Sequence, residues 1–475
     1  MILIISWVFG EKFWSDFMHE QYNNYKYSLI FFILFQTVLI LIYFSGTVLV
    51  FTDYVWSVLF MAYLVIVYFF RYSCRISLAT IFSLFYMTSI LFIAGRLLAI
   101  FFGFNGILFN VEFFGNRYLG EAEASHLMFY VFSGFVSLEI GLYLSLLVLK
   151  EKNIQPVDFK VNKLILSLLL LIFAFYIYYS VQQGILSVIS GGYLALYDAQ
   201  DSSYGFEFSS IIRTLLAASV GLFLVQDDRR MRNIFLFILG GYYFGQFIMG
   251  LRGGFICYML LLFWYNSNYG LKKVNFLKVF TLIICVFIFL TAIFNLVSFR
   301  GEVGTETLSD KILGLVYTQG VTLMVFNDSM SVSHYPLVPY FQNFIPGVSL
   351  VLSLLGYGVN TYDINFGSFL SYTLDPVLFG LGYGLGWSLF SDAYVYSFGN
   401  MILYSVFIVL FSVFINYMQN NVNKNLFLKV IISSLVIPLC FLPRAGLNTV
   451  FPLIFYTVIF LLLIIFLNQM LRRER

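Results

Sequence analysis

The stretch from Tyr27 to Phe51 reads YSLIFFILFQTVLILIYFSGTVLVF and holds 25 residues without an Asp, Glu, Lys or Arg. About 20 apolar residues in a helix cross the hydrocarbon core of a bilayer. Similar stretches recur along the chain, which has 475 residues, 61% of them hydrophobic and 10% charged. Soluble domains carry about a quarter charged residues, and transmembrane β-barrels alternate polar and apolar positions. The sequence therefore predicts an all-α polytopic membrane protein with a single integral membrane domain, residues 1–475.

Hydropathy predicts about twelve spanning helices, each roughly 20 residues long. The predicted spans are Tyr27–Phe51, Tyr54–Phe70, Ile76–Phe101, Leu127–Leu149, Leu164–Gln182, Ser209–Val225, Asn233–Gly250, Gly254–Trp264, Val279–Val297, Asp392–Ile415, Leu426–Phe441 and Thr449–Leu467. The eighth is short as written and is expected to start earlier or to run on to Tyr265. No paired inverted halves of the transporter kind are visible.

Basic residues in the short loops predict the orientation, because cytoplasmic loops carry an excess of Lys and Arg. Alternating twelve spans places six basic groups, and both termini, on the cytoplasmic side. These groups are Arg71 and Arg75; Lys150, Lys152, Lys160 and Lys163; Arg229, Arg230 and Arg232; Lys272 and Lys273; Lys424 and Lys429; and the tail Arg472, Arg473 and Arg475.

A long outer loop, residues 298–391, is predicted between the ninth and tenth spans. It is polar at first and then rich in aromatic residues, Gly and Pro. Loops of this length are usually functional or disordered, and amphipathic helices within it would lie on or dip into the membrane.

Several function classes are disfavoured by what the sequence lacks. The cysteines Cys74, Cys257, Cys285 and Cys440 lie at unrelated spacings in apolar runs, which is typical of small buried hydrophobes rather than of a metal site. There is no P-loop, no zinc His/Glu spacing and no Gly-x-Ser-x-Gly elbow. The net charge of +3 gives no sign of nucleic-acid binding. We expect no metal and no cofactor. We also expect no cleavable signal peptide, since Met1–Trp7 lacks a basic start and a cleavage site.

Three arginines fall in predicted outer turns, against the usual bias towards the inside. Arg252 lies in Gly250-Leu-Arg-Gly-Gly254, Arg300 in Ser298-Phe-Arg-Gly301 and Arg444 in Pro443-Arg-Ala-Gly446. A guanidinium stays charged and binds phosphate oxygens in pairs. The set therefore suggests a clamp for a lipid-linked phosphate.

Two further arginines, Arg96 and Arg213, lie near the outer ends of the third and sixth spans and are candidates for substrate binding. Each of the five arginines has an alternative role, in which it snorkels to headgroups or pairs with a carboxylate. Glu139 in the fourth span is a candidate partner for Arg96 or Arg213.

A transfer reaction also needs a base, and the outward candidates are His334, Asp392, Asp328, Glu302, Glu306 and Asp363. The ring of His334 would accept a hydroxyl proton near neutral pH, although a loop histidine is more often simply solvated. Asp392 also has a structural alternative: a carboxylate at the head of a helix would be an N-cap or a first-turn residue that the helix dipole stabilises.

Together these motifs resemble the bacterial O-antigen polymerases, the Wzy-type oligosaccharide repeat-unit polymerases. The resemblance covers the whole topology and rests locally on Gly250-Leu-Arg-Gly-Gly254, Arg300 followed by Gln319-Gly320, Gly386-Trp-Ser388 running into Asp392-Ala-Tyr394, Phe398-Gly399 and Arg444-Ala-Gly446. The family often carries a glutamate where this chain has Asp392, an asparagine where it has Ser397 and a glycine where it has Ala445.

The resemblance implies a metal-independent membrane glycosyltransferase with a GT-C-like fold in the bacterial inner (cytoplasmic) membrane. Such an enzyme moves the growing chain from undecaprenyl diphosphate to a new lipid-linked repeat on the periplasmic face. Arg252, Arg300, Arg444, His334 and Asp392 would then be catalytic, and Arg96, Arg213, Tyr394 and Gln319 would bind substrate. The expected partners are undecaprenyl-diphosphate-linked oligosaccharide, the lipid bilayer and a chain-length regulator protein.

Three alternatives stay open at this stage. An O-antigen ligase of the same class would move finished glycan to a lipid A core. A transporter or flippase for lipid-linked glycan would also suit twelve spans, and a non-catalytic scaffold in an envelope complex is the third. The sequence names neither the sugar nor its linkage.

Overall fold

The computed structural model describes residues 2–111, 114, 117–149, 161–191, 208–269 and 308–473. The predicted ninth span, Val279–Val297, lies outside the described residues. So do Arg300, Glu302, Glu306 and the basic residues Lys150, Lys152, Lys160, Lys272 and Lys273.

The described residues are mostly helical. The helices are α1 Ile2–Phe44, α2 Asp53–Ser73, α3 Ile81–Phe101, α4 Glu121–Val148, α5 Lys163–Gly191, α6 Phe208–Val225, α7 Arg229–Ile248, α8 Arg252–Tyr269, α9 Leu308–Gln319, α10 Thr322–Ser331, α11 Leu337–Gln342, α12 Val348–Leu354, α13 Phe366–Leu374, α14 Pro376–Gly380, α15 Leu389–Tyr396, α16 Met401–Asn421, α17 Leu426–Phe441 and α18 Phe451–Arg473. Short 3-10 turns lie at Thr361–Asp363, Leu442–Arg444 and Leu447–Thr449. Two short antiparallel strands, β1 Asn110–Val111 and β2 Arg117–Tyr118, pair between α3 and α4.

Eight helices of the described part are long and apolar enough to span a bilayer. They are Gln21–Phe44, Asp53–Ser73, Ile81–Phe101, Glu121–Val148, Lys163–Ser190, Met401–Asn421, Leu426–Arg444 and Leu447–Leu471. The expected all-α multi-pass membrane protein is confirmed. The total of twelve spans and the GT-C-like arrangement stay predictions. The eighth predicted span does run further than its first bounds, since α8 continues to Tyr269.

The predicted tenth span, Asp392–Ile415, is wrong at its beginning. The short helix α15 ends at Tyr396, and Phe398 and Gly399 then adopt positive φ angles of 52° and 71°. A left-handed backbone breaks the ladder of helical hydrogen bonds. Asn400 caps the new helix α16 by accepting from the backbone N–H groups of Ile402 and Leu403 at 3.0 and 3.1 Å. Asp392 thus belongs to a separate short helix that precedes the span.

Close packing of α3, α4, α16 and α17 forms the centre of the bundle. Small residues permit this packing, as is typical of helices in membranes. A Cβ on Gly141 of α4 would lie 2.4 Å from the Cβ of Ser412 on α16, and one on Gly221 of α6 would lie 1.8 Å from the carbonyl oxygen of Val430 on α17.

A buried ion pair ties α2 to α4 inside this bundle. The Arg71 guanidinium donates to the Glu139 carboxylate and stands over the Tyr86 ring, with Cζ 4.0 Å from the ring centroid. The expectation that Glu139 partners Arg96 or Arg213 is therefore wrong. The reason is helical geometry: Arg71, at the end of α2, points its long side chain back into the bundle at the depth of Glu139.

The described basic groups gather at one face of the bundle. The side-chain oxygen Oε1 of Gln419, near the end of α16, accepts from the Ile81 N–H at the start of α3 (3.1 Å) and from the Trp264 indole N–H near the end of α8 (3.3 Å). At the same face Lys163 pairs with Asp228 at 3.0 Å, and Arg232 stands over the Tyr265 ring. We call this the basic face. The turn from α7 to α8, which holds Gly250, lies at the opposite end of both helices.

Candidate active site at the arginine turns

The turn from α17 to α18 presents Arg444 away from the basic face. Pro443 has no N–H to continue the helix, and two 3-10 turns, Leu442–Arg444 and Leu447–Thr449, replace it. The Arg444 side chain is half-buried, and its Nη1 donates to the Gln319 side-chain oxygen at 2.7 Å. Its Cζ lies 5.9 Å from the centroid of the Phe92 ring.

Gln319 reaches this position because α9 packs tightly onto α3. A Cβ on Gly95 would lie 2.7 Å from the Val316 carbonyl oxygen, and one on Gly320 would lie 2.3 Å from the Arg96 backbone nitrogen. Neither glycine has room for a side chain, so the end of α9 rests directly on α3. Arg444 and Gln319, which are far apart in the sequence, therefore share one hydrogen bond.

The Arg252 turn touches the Arg444 turn. Gly250, with a φ of +96°, ends α7, and Arg252 begins α8 with a half-buried side chain. A Cβ on Gly253 would lie 2.6 Å from Cε2 of Phe441, the last residue of α17. The Phe441 ring packs edge-on against the Phe92 ring, 5.9 Å between centroids. Phe441, three residues before Arg444, thus packs against the start of α8, which carries Arg252.

Arg96 is buried beside these turns and binds backbone carbonyl groups. Its Nη1 donates to the carbonyl oxygens of Leu108 at 3.2 Å and Asn110 at 2.6 Å. The guanidinium also stands 4.7 Å from the Tyr317 ring centroid on α9. Arg96 therefore orders the loop between α3 and β1. Arg213 is exposed on α6, where it interacts electrostatically with Tyr242 of α7.

Asp392 is a buried carboxylate enclosed by three donors. Its Oδ1 accepts from the Trp387 indole N–H at 2.8 Å and from the Asn343 amide at 3.2 Å, and its Oδ2 accepts from the backbone N–H of Leu447 at 2.7 Å. Burial raises the pKa of Asp392 from 3.8 to about 7, although the three donors act in the opposite direction. Because Leu447 follows Arg444 by three residues, Asp392 fixes the arginine turn from behind.

A shallow cleft opens to solvent on the other side of the Asp392 donors. We call it the asparagine cleft; it is lined by Asn343, Asn365, Phe366, Gly367, Trp387 and Asn448. No sequence pattern predicted this site. Its residues are uncharged and come from four separate segments, and the only signal for it was Trp387 in the Gly386-Trp-Ser388 motif.

The remaining candidates lie elsewhere in the outer segment. His334 is exposed in the connection between α10 and α11. Asp328 accepts from Arg117 at 3.1 Å, and burial raises its pKa while Arg117 counteracts the rise. Asp363 accepts from Asn360 at 2.9 Å. Neither of these two hydrogen bonds involves Arg252 or Arg444.

Tyr394 of α15 is half-buried and packs edge-on against the Tyr130 ring, 5.2 Å between centroids. The Tyr130 hydroxyl donates to the Gly399 carbonyl at 2.5 Å. Tyr394 therefore braces the break between α15 and α16, near but separate from the arginine turns.

Comparison with known proteins identifies a family for this chain. The family model for the O-antigen polysaccharide polymerase Wzy matches residues 27–473, which is nearly the whole chain. No curated protein and no solved structure matches. The match covers α2 to α18 and every motif that carried the resemblance, and it agrees with the multi-pass helical fold described above. The chain belongs to the O-antigen polysaccharide polymerase Wzy family and is a glycosyltransferase-type polymerase of a surface polysaccharide.

Proposed function

We propose that this protein polymerises undecaprenyl-diphosphate-linked oligosaccharide repeat units by transferring the growing chain onto a new repeat at the outer face of the inner membrane. The observation that carries the proposal is the contact between the Arg252 and Arg444 turns through Phe441. In this proposal Arg252, Arg300 and Arg444 bind the diphosphate of the donor. The position of Arg300 lies outside the described residues.

The reaction breaks the bond between C1 of the donor sugar and the diphosphate oxygen. A hydroxyl oxygen of the acceptor repeat forms the new bond to C1, its proton passes to a base, and undecaprenyl diphosphate leaves with the bonding electron pair. Negative charge grows on the diphosphate as that bond breaks. Fixed guanidinium groups beside it stabilise the transition state more than the ground state.

The hydrogen bond from Arg444 to Gln319 supports this role because it orients the guanidinium. A guanidinium oriented in this way binds phosphate oxygens in pairs. Gln319 therefore acts on the phosphate through Arg444. Arg96 acts indirectly in this proposal: it binds the loop after α3 and packs against Tyr317 of α9, the helix that carries Gln319.

Two candidate bases differ in their access to a hydroxyl. His334 has an exposed ring in the outer segment, so a sugar hydroxyl can approach it. Asp392 is fully buried and surrounded by three N–H groups. We assign the proton-accepting role to His334 and treat Asp392 as a positioning residue for the arginine turn.

Orientation supports an outward-facing site. The arginine turns lie at the end of the bundle opposite the basic face, and basic loops mark the cytoplasmic side of membrane proteins. The donor diphosphate would therefore bind at the periplasmic boundary of the inner membrane, with its prenyl chain in the bilayer. A chain-length regulator would meet the enzyme at the same boundary.

The decisive experiment supplies purified full-length protein with lipid-linked repeats and follows chain length on a gel, without ATP or an ion gradient. The wild type should form a ladder of polymer, and Arg444→Ala should form none. Arg230→Ala removes an exposed arginine from the basic face and is the matched control. A normal ladder from Arg444→Ala would contradict the proposal.

The same variants in cells separate the alternatives. Loss of a polymerase leaves single repeats on the lipid A acceptor, whereas loss of a ligase leaves none. A transporter would give no ladder from purified protein under any condition.

A further inference from the structure

The asparagine cleft is neutral, although it lies beside a charged site. Asn343, Asn365 and Asn448 supply amide groups, and Trp387 and Phe366 supply aromatic surface. Each amide offers both donors and an acceptor, as does each sugar hydroxyl. A phosphate would instead select charged donors. The lining therefore suits a ligand with many hydroxyl or acetamido groups and no charge.

We infer that the asparagine cleft binds one sugar residue of the lipid-linked substrate, the residue attached to the diphosphate. This inference rests on the proposed function. The cleft is open to solvent and encloses little space, whereas pockets that surround drug-sized ligands measure roughly 300–1,000 Å³. It suits a single ring or its substituents rather than an oligosaccharide.

Asp392 holds the lining in place before any ligand arrives. It binds the Trp387 indole and the Asn343 amide, and it also binds the backbone N–H of Leu447, which precedes Asn448. One carboxylate thus fixes three of the groups around the cleft. Behind Trp387, the Phe366 ring stacks at 5.7 Å between centroids and the Tyr335 ring packs edge-on at 5.8 Å. A site prepared in this way loses little conformational entropy on binding.

The place of the cleft in the turn identifies which sugar it takes. A Cβ on Gly446 would lie 3.0 Å from Cδ1 of Trp387 and 2.8 Å from Oδ1 of Asn448, so the turn backbone forms one edge of the cleft. Arg444 precedes Gly446 by two residues, which span at most about 7 Å of extended chain. A sugar in the cleft therefore adjoins the arginine proposed to bind the diphosphate.

The test compares two lipids on the full-length protein: undecaprenyl diphosphate alone, and the lipid-linked repeat extracted from cells that lack this chain. Asn448→Ala removes an exposed amide of the cleft. Asn365→Asp removes the amide donors but keeps the N-cap oxygen that accepts from the Ser368 N–H at 2.7 Å, so α13 stays intact. Asn360→Ala, an exposed asparagine that binds Asp363, is the matched control.

Each cleft variant should raise the Kd of the lipid-linked repeat about tenfold, as expected for one lost hydrogen bond to a ligand. The Kd of undecaprenyl diphosphate should stay within about twofold, and Asn360→Ala should change neither value. Arg444→Ala should weaken both lipids.

An unchanged Kd for the repeat in both cleft variants would overturn the sugar site and leave the proposed function standing. An equal loss of both lipids in the cleft variants would overturn it too, since the cleft would then serve the diphosphate. Failure of the wild type to bind undecaprenyl diphosphate would instead overturn the proposed function, and the sugar site with it.

Discussion

Arg71 and Arg444 are both arginines at the end of a spanning helix, yet their surroundings differ. Arg71 is buried, pairs with the Glu139 carboxylate and lies over Tyr86. Arg444 is half-buried and donates to the neutral amide of Gln319. A buried pair leaves no net charge in the bundle, and its role is structural. The Gln319 amide instead orients the Arg444 guanidinium, which the proposed function assigns to the diphosphate of the donor.

The largest expected effect comes from removing the buried ion pair between Arg71 and Glu139. Glu139→Ala leaves the Arg71 guanidinium buried without its carboxylate, which should cost about 3–5 kcal/mol of folding free energy. The measurement is thermal unfolding of the detergent-solubilised protein. The double variant Arg71→Met with Glu139→Leu should recover most of the loss. Equal stability of Glu139→Ala and the wild type would show that the pair is not structural.

The next effect concerns the Arg444 side. Arg444→Ala should lower polymerisation about 10²- to 10³-fold, the usual loss when one donor to a transition-state charge is removed. Arg444→Lys should remain strongly impaired because lysine lacks the two-pronged geometry. Melting temperatures should stay near that of the wild type, in contrast to Glu139→Ala. Full activity in the lysine variant would reduce the role of Arg444 to charge alone.

A smaller effect should follow from separating the two arginine turns. Gly253→Ala places a methyl group 2.6 Å from the present position of the Phe441 ring, so the ring or α8 must shift. We expect about tenfold lower polymerisation, since a displacement near 1 Å is costly for catalysis. Gly241→Ala is the control, because a Cβ there meets nothing within 4 Å. Equal rates for the two variants would show that the turns need not touch.

The smallest effect is a pH dependence carried by Asp392. Its pKa in the folded protein, about 7, lies above its ordinary value of 3.8. Protonation therefore favours the folded state. This contribution is fully present below about pH 4 and is lost as the pH rises through 7. The wild type should melt about 3 °C higher at pH 5 than at pH 8, and Asp392→Asn should lack that difference. The same slope in both proteins would assign it to other groups.

Hydropathy was enough to predict the helical membrane fold, since long apolar runs admit no other spanning structure. It failed at the start of the tenth span, because the break at Phe398 and Gly399 is set by backbone angles and not by polarity. The prediction that Arg96 or Arg213 pairs with Glu139 was wrong for a related reason. Arg71 marked a basic loop, and loop position does not reveal that a long side chain turns back into the bundle.

Sequence patterns located the arginine turns well. The order of the predicted spans placed Arg252 and Arg444 in turns, and the structure packs Gly253, beside Arg252, against Phe441 at the end of α17. The asparagine cleft could not be predicted from the sequence, because a neutral site has no charge pattern. Its residues come together only in the folded protein: Asn343, Asn365, Trp387 and Asn448. Neutral recognition sites of this kind need coordinates.

In the proposed mechanism, the shared carboxylate of Asp392 couples the choice of sugar to the rate of transfer. The Asp392 carboxylate accepts hydrogen bonds from Trp387, Asn343 and the Leu447 N–H. A ligand that tilts the Trp387 indole would therefore also displace the turn that positions Arg444. An ill-fitting repeat would then be held yet processed slowly, and fidelity would arise during turnover as well as on docking. A change of the chain towards a new glycan would therefore have to alter sugar selection and transfer rate together.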